Sequence, residues 1–433
     1  MFYVSTLIFN NIFIRGALIM SIYQLLRDRE LAGSPVRVGV CGAGQMGKGM
    51  IAQITHIPGM RVTAVCDVIK QNAERARDAY IHLAKSKNDV FVTPSYAEMV
   101  NRTDVDVVVD ATGVPEVGAS LAIDSLTARK HLVMLNVEAD VTIGPFLNQL
   151  YKAAGLVFTG SAGDEPGATF ELFEFAKTLG LEVVVAGKGK NNPFIPQANP
   201  DTCADEASRK HMNAHMLAAF QDGTKTMAEM NLLSNATGLV PDVVGTHGVS
   251  ADVQTVAEKL CLETEGGVLS RYGVVEFVHG LAPGVFIIIR SDLEAVNEEL
   301  QYLRVGVGPN YTLYRPYHLA SLETPLSVAR AALMHEPTIV ALGAPISETV
   351  AVAKRDVKSG EKIDGIGGYS VRGVIETHED AVINGHVPIG IIGGSSVAKR
   401  DIPNGSFLNY DDIEIDETTQ VWHLRQLQEK HFI

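Results

Sequence analysis

Cysteine is scarce and unpatterned. The 433 residues hold four, Cys41, Cys66, Cys203 and Cys261, with no Cys-x-x-Cys spacing. That excludes a disulfide framework, and four reduced thiols suit the cytoplasm. Basic charge is also short: 36 Lys and Arg stand against 50 Asp and Glu, a net charge of -14. Such a balance excludes nucleic acid and anionic membranes as partners, while leaving room for a locally basic site that takes an anionic substrate. No long apolar run goes uninterrupted. The opening stretch MFYVSTLIFNNIFIRGALI is broken by Asn10, Asn11 and Arg15, and is short for a membrane span. It lacks the basic leader and the clean small-residue cleavage site of a signal peptide. Residues 1–19 therefore read as a loosely ordered extension, or as a start assigned ahead of Met20. What remains, 46% hydrophobic and 20% charged, is an ordinary globular composition with core enough for two or three domains.

The stretch that organises the rest is VRVGVCGAGQMGKGMIAQITHIPGMRVTAVCD, Val36 to Asp67. It reads as buried strand, glycine turn, helix, second strand and acid. Gly42 permits the tight turn, Gly44 lets backbone approach a pyrophosphate, and Gly47 lets the helix pack on the strand. With Ala43, Gln45 and Met46, these residues would place a dinucleotide's phosphates at a helix N-terminus, where free N–H groups and the dipole favour an anion. Asp67 lies 20 residues beyond Gly47, where a carboxylate grips a ribose 2′-hydroxyl and repels a 2′-phosphate. NAD(P)H is the expected cofactor, with NAD(H) favoured.

Strands and helices then alternate to about residue 165. This is the pattern of a doubly wound parallel sheet of Rossmann type, an α/β fold. Ala111-Thr112-Gly113, Asn136-Val137-Glu138 and Gly163-Asp164-Glu165 fall at strand carboxyl ends, where such sheets bind ligands. Ala111, Thr112, Gly113 and Asn136 are the cofactor candidates among them. The expected boundaries are 20–165 for the dinucleotide domain, 166–345 for an α+β substrate and dimerisation domain, and 346–433 for a small β-rich module.

A strand over Leu181–Val185 runs into Gly187-Lys188-Gly189-Lys190-Asn191-Asn192. Lys188, Lys190 and Asn192 would hold a phosphate, carboxylate or hydroxyls, and a lysine whose pKa is lowered by burial could donate a proton. A solvated basic turn explains the same residues. The spacing predicts one long helix over His211–Asn235, with His211, His215, Asp222, Lys225 and Glu229 on a single stripe. Asp222 and Lys225, three apart, would face each other and pass a proton as hydride moves, with Glu229 beside the substrate. His211 and His215 have metal-ligand spacing but no evident third ligand, so no metal site is assigned and any need for a divalent metal stays open. Further on, Gly273–His279 and Gly284–Arg290 read as a hairpin, and Gln301–Val305 as a strand. The aromatic-rich Tyr311–His318, with Arg315, either lines the substrate pocket or seals an interface. Ala353-Lys354-Arg355-Asp356-Val357-Lys358-Ser359-Gly360 recurs as Ala398-Lys399-Arg400-Asp401-Ile402-Pro403-Asn404-Gly405. The repeat's basic residues form solvated turns or reach over the main body's site.

VRVGVCGAGQMGKGM, DVVVDATG, LNVEAD, GSAGDEPG, GKGKNN, FQDGTKTMAEM and LYRPYHLASLETP together resemble the homoserine dehydrogenase-like oxidoreductases with a C-terminal SAF domain, and the repeated AKRD resembles SAF sequence. Homoserine dehydrogenases carry Asn-Lys where this chain has Asn136-Val137, so homoserine itself is not the expected substrate. One branch of the resemblance is reductoisomerase-like. It implies conversion of 1-deoxy-D-xylulose 5-phosphate to 2-C-methyl-D-erythritol 4-phosphate in isoprenoid precursor synthesis. The alternatives are a plain dehydrogenase of a sugar acid or polyol and a non-catalytic dinucleotide- or carbohydrate-binding protein. In every case a small molecule is the expected partner, and a homodimer or larger homo-oligomer the expected assembly.

Overall fold

The computed structural model describes residues 21–84, 89–210 and 212–432. The expected extension over 1–19, and His211 of the histidine pair, lie outside the described residues. Six short strands, β1 (Val36–Cys41), β2 (Met60–Cys66), β3 (Phe91–Thr93), β4 (Val107–Asp110), β5 (His131–Met134) and β6 (Phe158–Gly160), form one parallel sheet in the order β3-β2-β1-β4-β5-β6. β1, β2 and β4 are Val-rich, and all but the edge strand β3 are largely buried, as parallel strands covered by helices must be. The order reverses between β1 and β4, so a crevice opens where their carboxyl ends part. Around it lie the starts of α1 (Gln45–Ile54), α2 (Pro115–Thr127) and α3 (Val137–Ala153). The Rossmann-type expectation is borne out.

Asp140 on α3 is 1% exposed, and its Oδ2 has no hydrogen-bond partner. Burial alone pushes its carboxyl up to about 7. The folded state therefore holds this proton more tightly than the unfolded chain does. The stability linked to it is complete below pH 4 and is lost as the pH rises through about 7. Asp140→Asn is expected to raise the unfolding free energy at pH 8 by about 2–4 kcal/mol and to change little at pH 4. Urea unfolding at the two pH values checks this.

A second sheet combines β7 (Glu182–Gly189), β8 (Val240–Pro241), β9 (Val274–Val278), β10 (Val285–Arg290) and β11 (Asn310–Arg315) in the order β11-β10-β7-β9-β8. The segments read as a hairpin are not neighbours. β7 lies between them, parallel to β9 and antiparallel to β10. The stretch read as a strand at 301–305 is instead the end of a helix, Glu294–Tyr302, and the turn after it; the strand is β11. Helix α4 (Glu165–Thr178) and a later helix cover one face through Ala176, Met227, Met230 and Leu233.

That later helix corrects the sequence reading. There is no continuous helix over 211–235, but α5 (Ala214–Gln221) followed by α6 (Thr224–Thr237). Gly223 breaks the run at φ +95°, and a Cβ there would meet the Phe194 ring at 2.5 Å. Asp222 turns its Oδ1 back to accept from the Thr224 N–H at 2.8 Å, satisfying a free donor at the start of α6. The supposed stripe is thus split between two helices, and Asp222 does not face Lys225.

The C-terminal module contains two antiparallel pairs: β12 (Ser347–Ala353) with β13 (Val371–Thr377), and β14 (Val397–Ala398) with β15 (Ile413–Glu414). The repeat proves to be a reciprocal pairing. Gly360 donates to the Ala398 carbonyl as Gly405 donates to Ala353, and Val357 and Ile402 bridge each other. Asp401 accepts from the Ser359 N–H as Asp356 accepts from Asn404. The chain then returns to the first sheet's helices as α7 (Gln420–His431). Glu116 on α2 accepts from the Gln420 and Val421 N–H groups, and the Gln428 amide serves both Phe146 N–H and the Thr142 carbonyl. That exchange flanks Pro145, which interrupts the ladder of α3. All four cysteines are free and buried. No helix among the described residues is long and apolar enough to cross a membrane.

Candidate active site

The glycine turn has the geometry a dinucleotide needs. Gly42, at φ +96°, lies so near β4 that a Cβ would meet the Ala111 carbonyl at 2.6 Å, and a Cβ on Gly47 would stand 1.8 Å from the Gly42 oxygen. Gly44 differs: nothing lies within 4 Å of its Cβ position, and it begins α1 with no side-chain cap. The space and the free N–H groups of α1 remain for an anion. Asp67 holds the turn from below, its Oδ2 accepting from the Ala43 N–H and its Oδ1 from Ile69, both at 2.8 Å. Gln45 and Met46 are exposed beside the turn.

Two cofactor candidates play an internal part. Asn136 is fully buried. Its amide donates to Asp110 Oδ2 and the Val114 carbonyl, while its Oδ1 accepts from Ala139 to cap α3. Thr112 donates to Asp110 Oδ1 at 2.6 Å. Both brace the loops after β4 and β5; Asn136, fully buried, is closed to the direct cofactor contact expected of it, whereas Thr112 is half-buried and lines a neighbouring cavity. Ala111, Gly113 and Met46 do reach the cavity beyond the turn.

That cavity, about 220 Å³, is where nucleotide sheet and second sheet meet. Its polar wall comes from Glu138 at the start of α3, Asp164 and Glu165 at the start of α4, Lys188 and Lys190 at the end of β7, Lys225 and Glu229 on α6, and His318. Glu138, Asp164, Glu165 and Glu229 are all buried, an arrangement tolerated because cations are buried among them.

Lys188 is 3% exposed within β7, not in a solvated turn. It donates to Glu165 Oε1 at 2.6 Å and contacts Glu229 Oε2 more closely still. Burial opposes its charge, but the two carboxylates outweigh burial and hold its pKa above the ordinary lysine value. It is a fixed cation, which corrects its assignment as a proton donor. Carboxylate oxygens of Asp164, Glu165 and Glu229 converge within 4.8 Å of one another, a grouping that could bind a metal ion. The Lys188 ammonium already bridges two of the three, so these residues do not fit a metal without displacing it.

Of the three cavity lysines, the one whose pKa falls is Lys190. Burial and the neighbouring Lys188 bring it down to about 8, and its Nζ donates to the Phe220 carbonyl at 2.9 Å. Lys225 is placed differently from both. Its Nζ stands 3.8 Å from Glu138 Oε1 and 3.8 Å from Asp164 Oδ2, beyond hydrogen-bond distance of either. Burial works against its charge, but the fields of Glu138, Asp164, Glu229 and Glu165 together raise its pKa. The ammonium is held by charge on two sides with its donors free for a ligand. Burial, partly offset by Lys225, pushes Asp164 up to about 6; burial and the Glu165 charge push Glu229 up to about 8. Burial works against the Glu165 charge, but the Lys188 ammonium holds its pKa low.

Of the remaining candidates, Asn192 lines the cavity. Asp222 is sealed away from it, 2.6 Å from Lys354 Nζ, which corrects the Asp222–Lys225 pair. Arg315 is committed to Glu171 at 2.9 Å and Glu323 at 2.7 Å, which corrects its substrate role. The sequence reading marked 136–138 and 163–165 as strand ends but gave no role to Glu138, Asp164 or Glu165. The acid pair opening α4 was the available signal. His318, with Nδ1 3.1 Å from the Gly163 carbonyl and Nε2 3.5 Å from Glu165, had no local signal.

Two family models match the chain. One, described as oxidoreductase DRL, catalytic domain, matches residues 163–324. The other, dihydrodipicolinate reductase, N-terminus, matches residues 36–135. These agree with the coarse resemblance, an NAD(P)-dependent oxidoreductase, and neither is described as homoserine dehydrogenase or SAF domain. Among curated proteins, glycosyl hydrolase family 109 protein 1 of Shewanella sp. (strain MR-4) is 34% identical over 98 residues, 22% of this chain and 21% of that protein. A glycosyl hydrolase family 109 protein of Streptomyces coelicolor is 42% identical over 79 residues, 18% and 17% of the two chains. The chain spans about a fifth of the length of the curated relatives it matches. Among solved structures, a probable dehydrogenase from Thermotoga maritima gives a TM-score of 0.42 at 16% identity, over 70% of this chain and 90% of that one. The myo-inositol dehydrogenase of Lactobacillus casei, solved with NAD(H) and myo-inositol, gives 0.37 at 15% identity, over 64% and 74%. At these scores the fold assignment rests on the strand order itself.

Proposed function

We propose that this protein is an NAD(P)-dependent dehydrogenase that interconverts a secondary alcohol and a carbonyl in a small polyhydroxylated compound, a polyol, sugar or sugar acid. The observation that carries the reading is the unengaged Lys225 ammonium between two carboxylates, in a cavity that begins at the dinucleotide turn. Gly44 and the first N–H groups of α1 would hold the pyrophosphate and Asp67 the adenosine ribose, while Ala111, Gly113 and Met46 border the space toward the substrate. The bound nicotinamide supplies hydride acceptance or donation. In alcohol oxidation, Asp164 takes the hydroxyl proton and Lys225 stabilises the developing alkoxide by charge and hydrogen bonding. In carbonyl reduction, the same pair returns the proton. Donors and acceptors on the wall (Lys190, Asn192, Glu138, Glu229) suit neighbouring hydroxyls, and the modest cavity suits a small ligand.

The reductoisomerase expectation is not retained. The matched descriptions do not name it. An α-ketol shift is helped by a cation bridging two substrate oxygens, and Lys188 takes the place among the carboxylates where such a cation would sit.

The test is nicotinamide absorbance with purified protein, NAD and NADP in parallel, and a panel of polyols, sugars and sugar acids. Cofactor reduction by a panel member, giving the simple carbonyl product, supports the reading. Cofactor binding by fluorescence without turnover on any member overturns it in favour of a binding protein. NAD is expected to be preferred. Because Asp67 also braces the turn through the Ala43 N–H, Asp67→Ala is expected to weaken both cofactors, NAD by roughly tenfold more than NADP, since only NAD profits from the carboxylate at the ribose; titration of the variant with each cofactor checks this.

A further inference from the structure

Helix α6 presents two faces to two different parts of the molecule. Lys225 and Glu229 face the cavity. Thr224, Asn231 and Asn235 form a second stripe against the C-terminal module. The Gly373 N–H of β13 donates to Thr224 Oγ1 at 2.8 Å, and the Asn231 amide pairs with the Thr349 and Ser347 hydroxyls, each at 3.0 Å. Asn235 Oδ1 accepts from the Ile346 and Ser347 N–H groups. The fixed point is at the helix start. Lys354, from the first copy of the repeat, is 3% exposed, and its Nζ lies 2.6 Å from Asp222 Oδ2 while donating to the Ala198 and Gly368 carbonyls at 2.7 and 2.8 Å. Its two hydrogen bonds to backbone carbonyls anchor the ammonium, and its charge, paired with the buried Asp222 Oδ2, sets a defined position for Asp222. Asp222 in turn caps Thr224, the residue before Lys225. The matching lysine of the second copy, Lys399, is exposed and reaches only the Tyr410 carbonyl.

We infer that Lys354 is a positioning residue for the proposed dehydrogenase: through Asp222 and the turn at Gly223 it fixes where α6 holds Lys225 and Glu229, making the C-terminal module a working part of the site. The inference rests on the proposed function for its kinetic readout only. A displacement of about 1 Å in a group that contacts the reacting oxygen is enough to cost roughly a hundredfold in rate.

The test compares wild type, Lys354→Met and the double variant Lys354→Met/Asp222→Asn. The single change leaves a buried carboxylate unpaired, so thermal stability is expected to fall along with kcat, the latter roughly 10- to 100-fold, while cofactor KM stays within about twofold. The double change removes the stranded charge and keeps an oxygen to cap Thr224. It is expected to restore the melting temperature but not kcat. Recovery of kcat together with the melting temperature would show that Lys354 acts through stability alone and would overturn the inference. Should Lys354→Met not fold, the double variant is set against wild type on the same readings. Hydrogen exchange over 224–237 supplies a readout independent of turnover: faster exchange is expected in every folded variant lacking Lys354, and unchanged exchange overturns the inference. If the wild type turns over no panel member, the dehydrogenase reading falls and the exchange result still decides the positioning claim.

Discussion

Lys225→Met is expected to lower kcat by roughly a hundred- to ten-thousandfold while cofactor affinity stays within about twofold of wild type. Methionine fills nearly the same volume, so the change removes charge and donors more than packing. What is lost is, among the described residues, the cavity lysine whose hydrogen bonds are not already given to protein: Lys188 is bound to Glu165 and Glu229, and Lys190 to the Phe220 carbonyl. The loss also acts on Asp164. The Lys225 charge offsets part of the burial that raises this carboxyl to about 6. Without it the pKa climbs further, and the acidic limb of kcat/KM for alcohol oxidation is expected to move to higher pH in whatever activity remains. Steady-state kinetics between pH 5 and 9 measure both effects. A kcat within threefold of wild type would remove Lys225 from the chemistry.

The second large effect separates two glycines three residues apart. Gly47→Ala sets a methyl 1.8 Å from the Gly42 carbonyl. The obstacle is backbone at a left-handed turn that cannot rotate aside, so the turn itself must move. Cofactor affinity is expected to fall by more than about a hundredfold and stability by about 1–3 kcal/mol. Gly44→Ala meets no protein atom within 4 Å, and φ of -69° suits alanine. Its melting temperature should match wild type while cofactor affinity falls at least about tenfold, because the methyl takes space reserved for the pyrophosphate. Fluorescence titration with NADH, paired with thermal melts, resolves the two. Equal cofactor affinity in Gly44→Ala and wild type would mean that the ligand does not approach the chain there.

What could be read in the sequence was what depends on neighbours in the chain. Val36–Asp67 announces itself because strand, turn, helix and acid are consecutive, and the valine-rich runs that follow can be little other than buried parallel strands. The second sheet failed the same treatment. β9 and β10 look like a hairpin because only six residues separate them, yet β7, about 90 residues earlier, pairs between them. No local pattern records that insertion. Gly223 is unsuited to a helix interior, and the Phe194 ring approaches it closely. The left-handed turn it permits was missed, and with it the direction of Asp222. Lys188 was assigned its chemistry from glycine spacing, whereas its partners Glu165 and Glu229 lie 23 and 41 residues away. A lysine's partners decide whether it is a proton donor or a fixed charge, and those partners were not its neighbours in sequence.

The return of α7 to the first sheet's helices bears on how the protein is made. Helix α3 leaves the ribosome long before Gln428 and Arg425, which complete the bonding of its Thr142 carbonyl and Phe146 N–H. Helix α6 likewise emerges ahead of the strands that take up its Thr224, Asn231 and Asn235 side chains. The nucleotide sheet can form early, since its strands pair close in sequence. Every residue that lines the cavity between the sheets precedes the C-terminal segments that bond α3 and α6. A stage of synthesis is expected in which the glycine turn has formed while α6 is not yet held by the strands that fix Lys225 and Glu229.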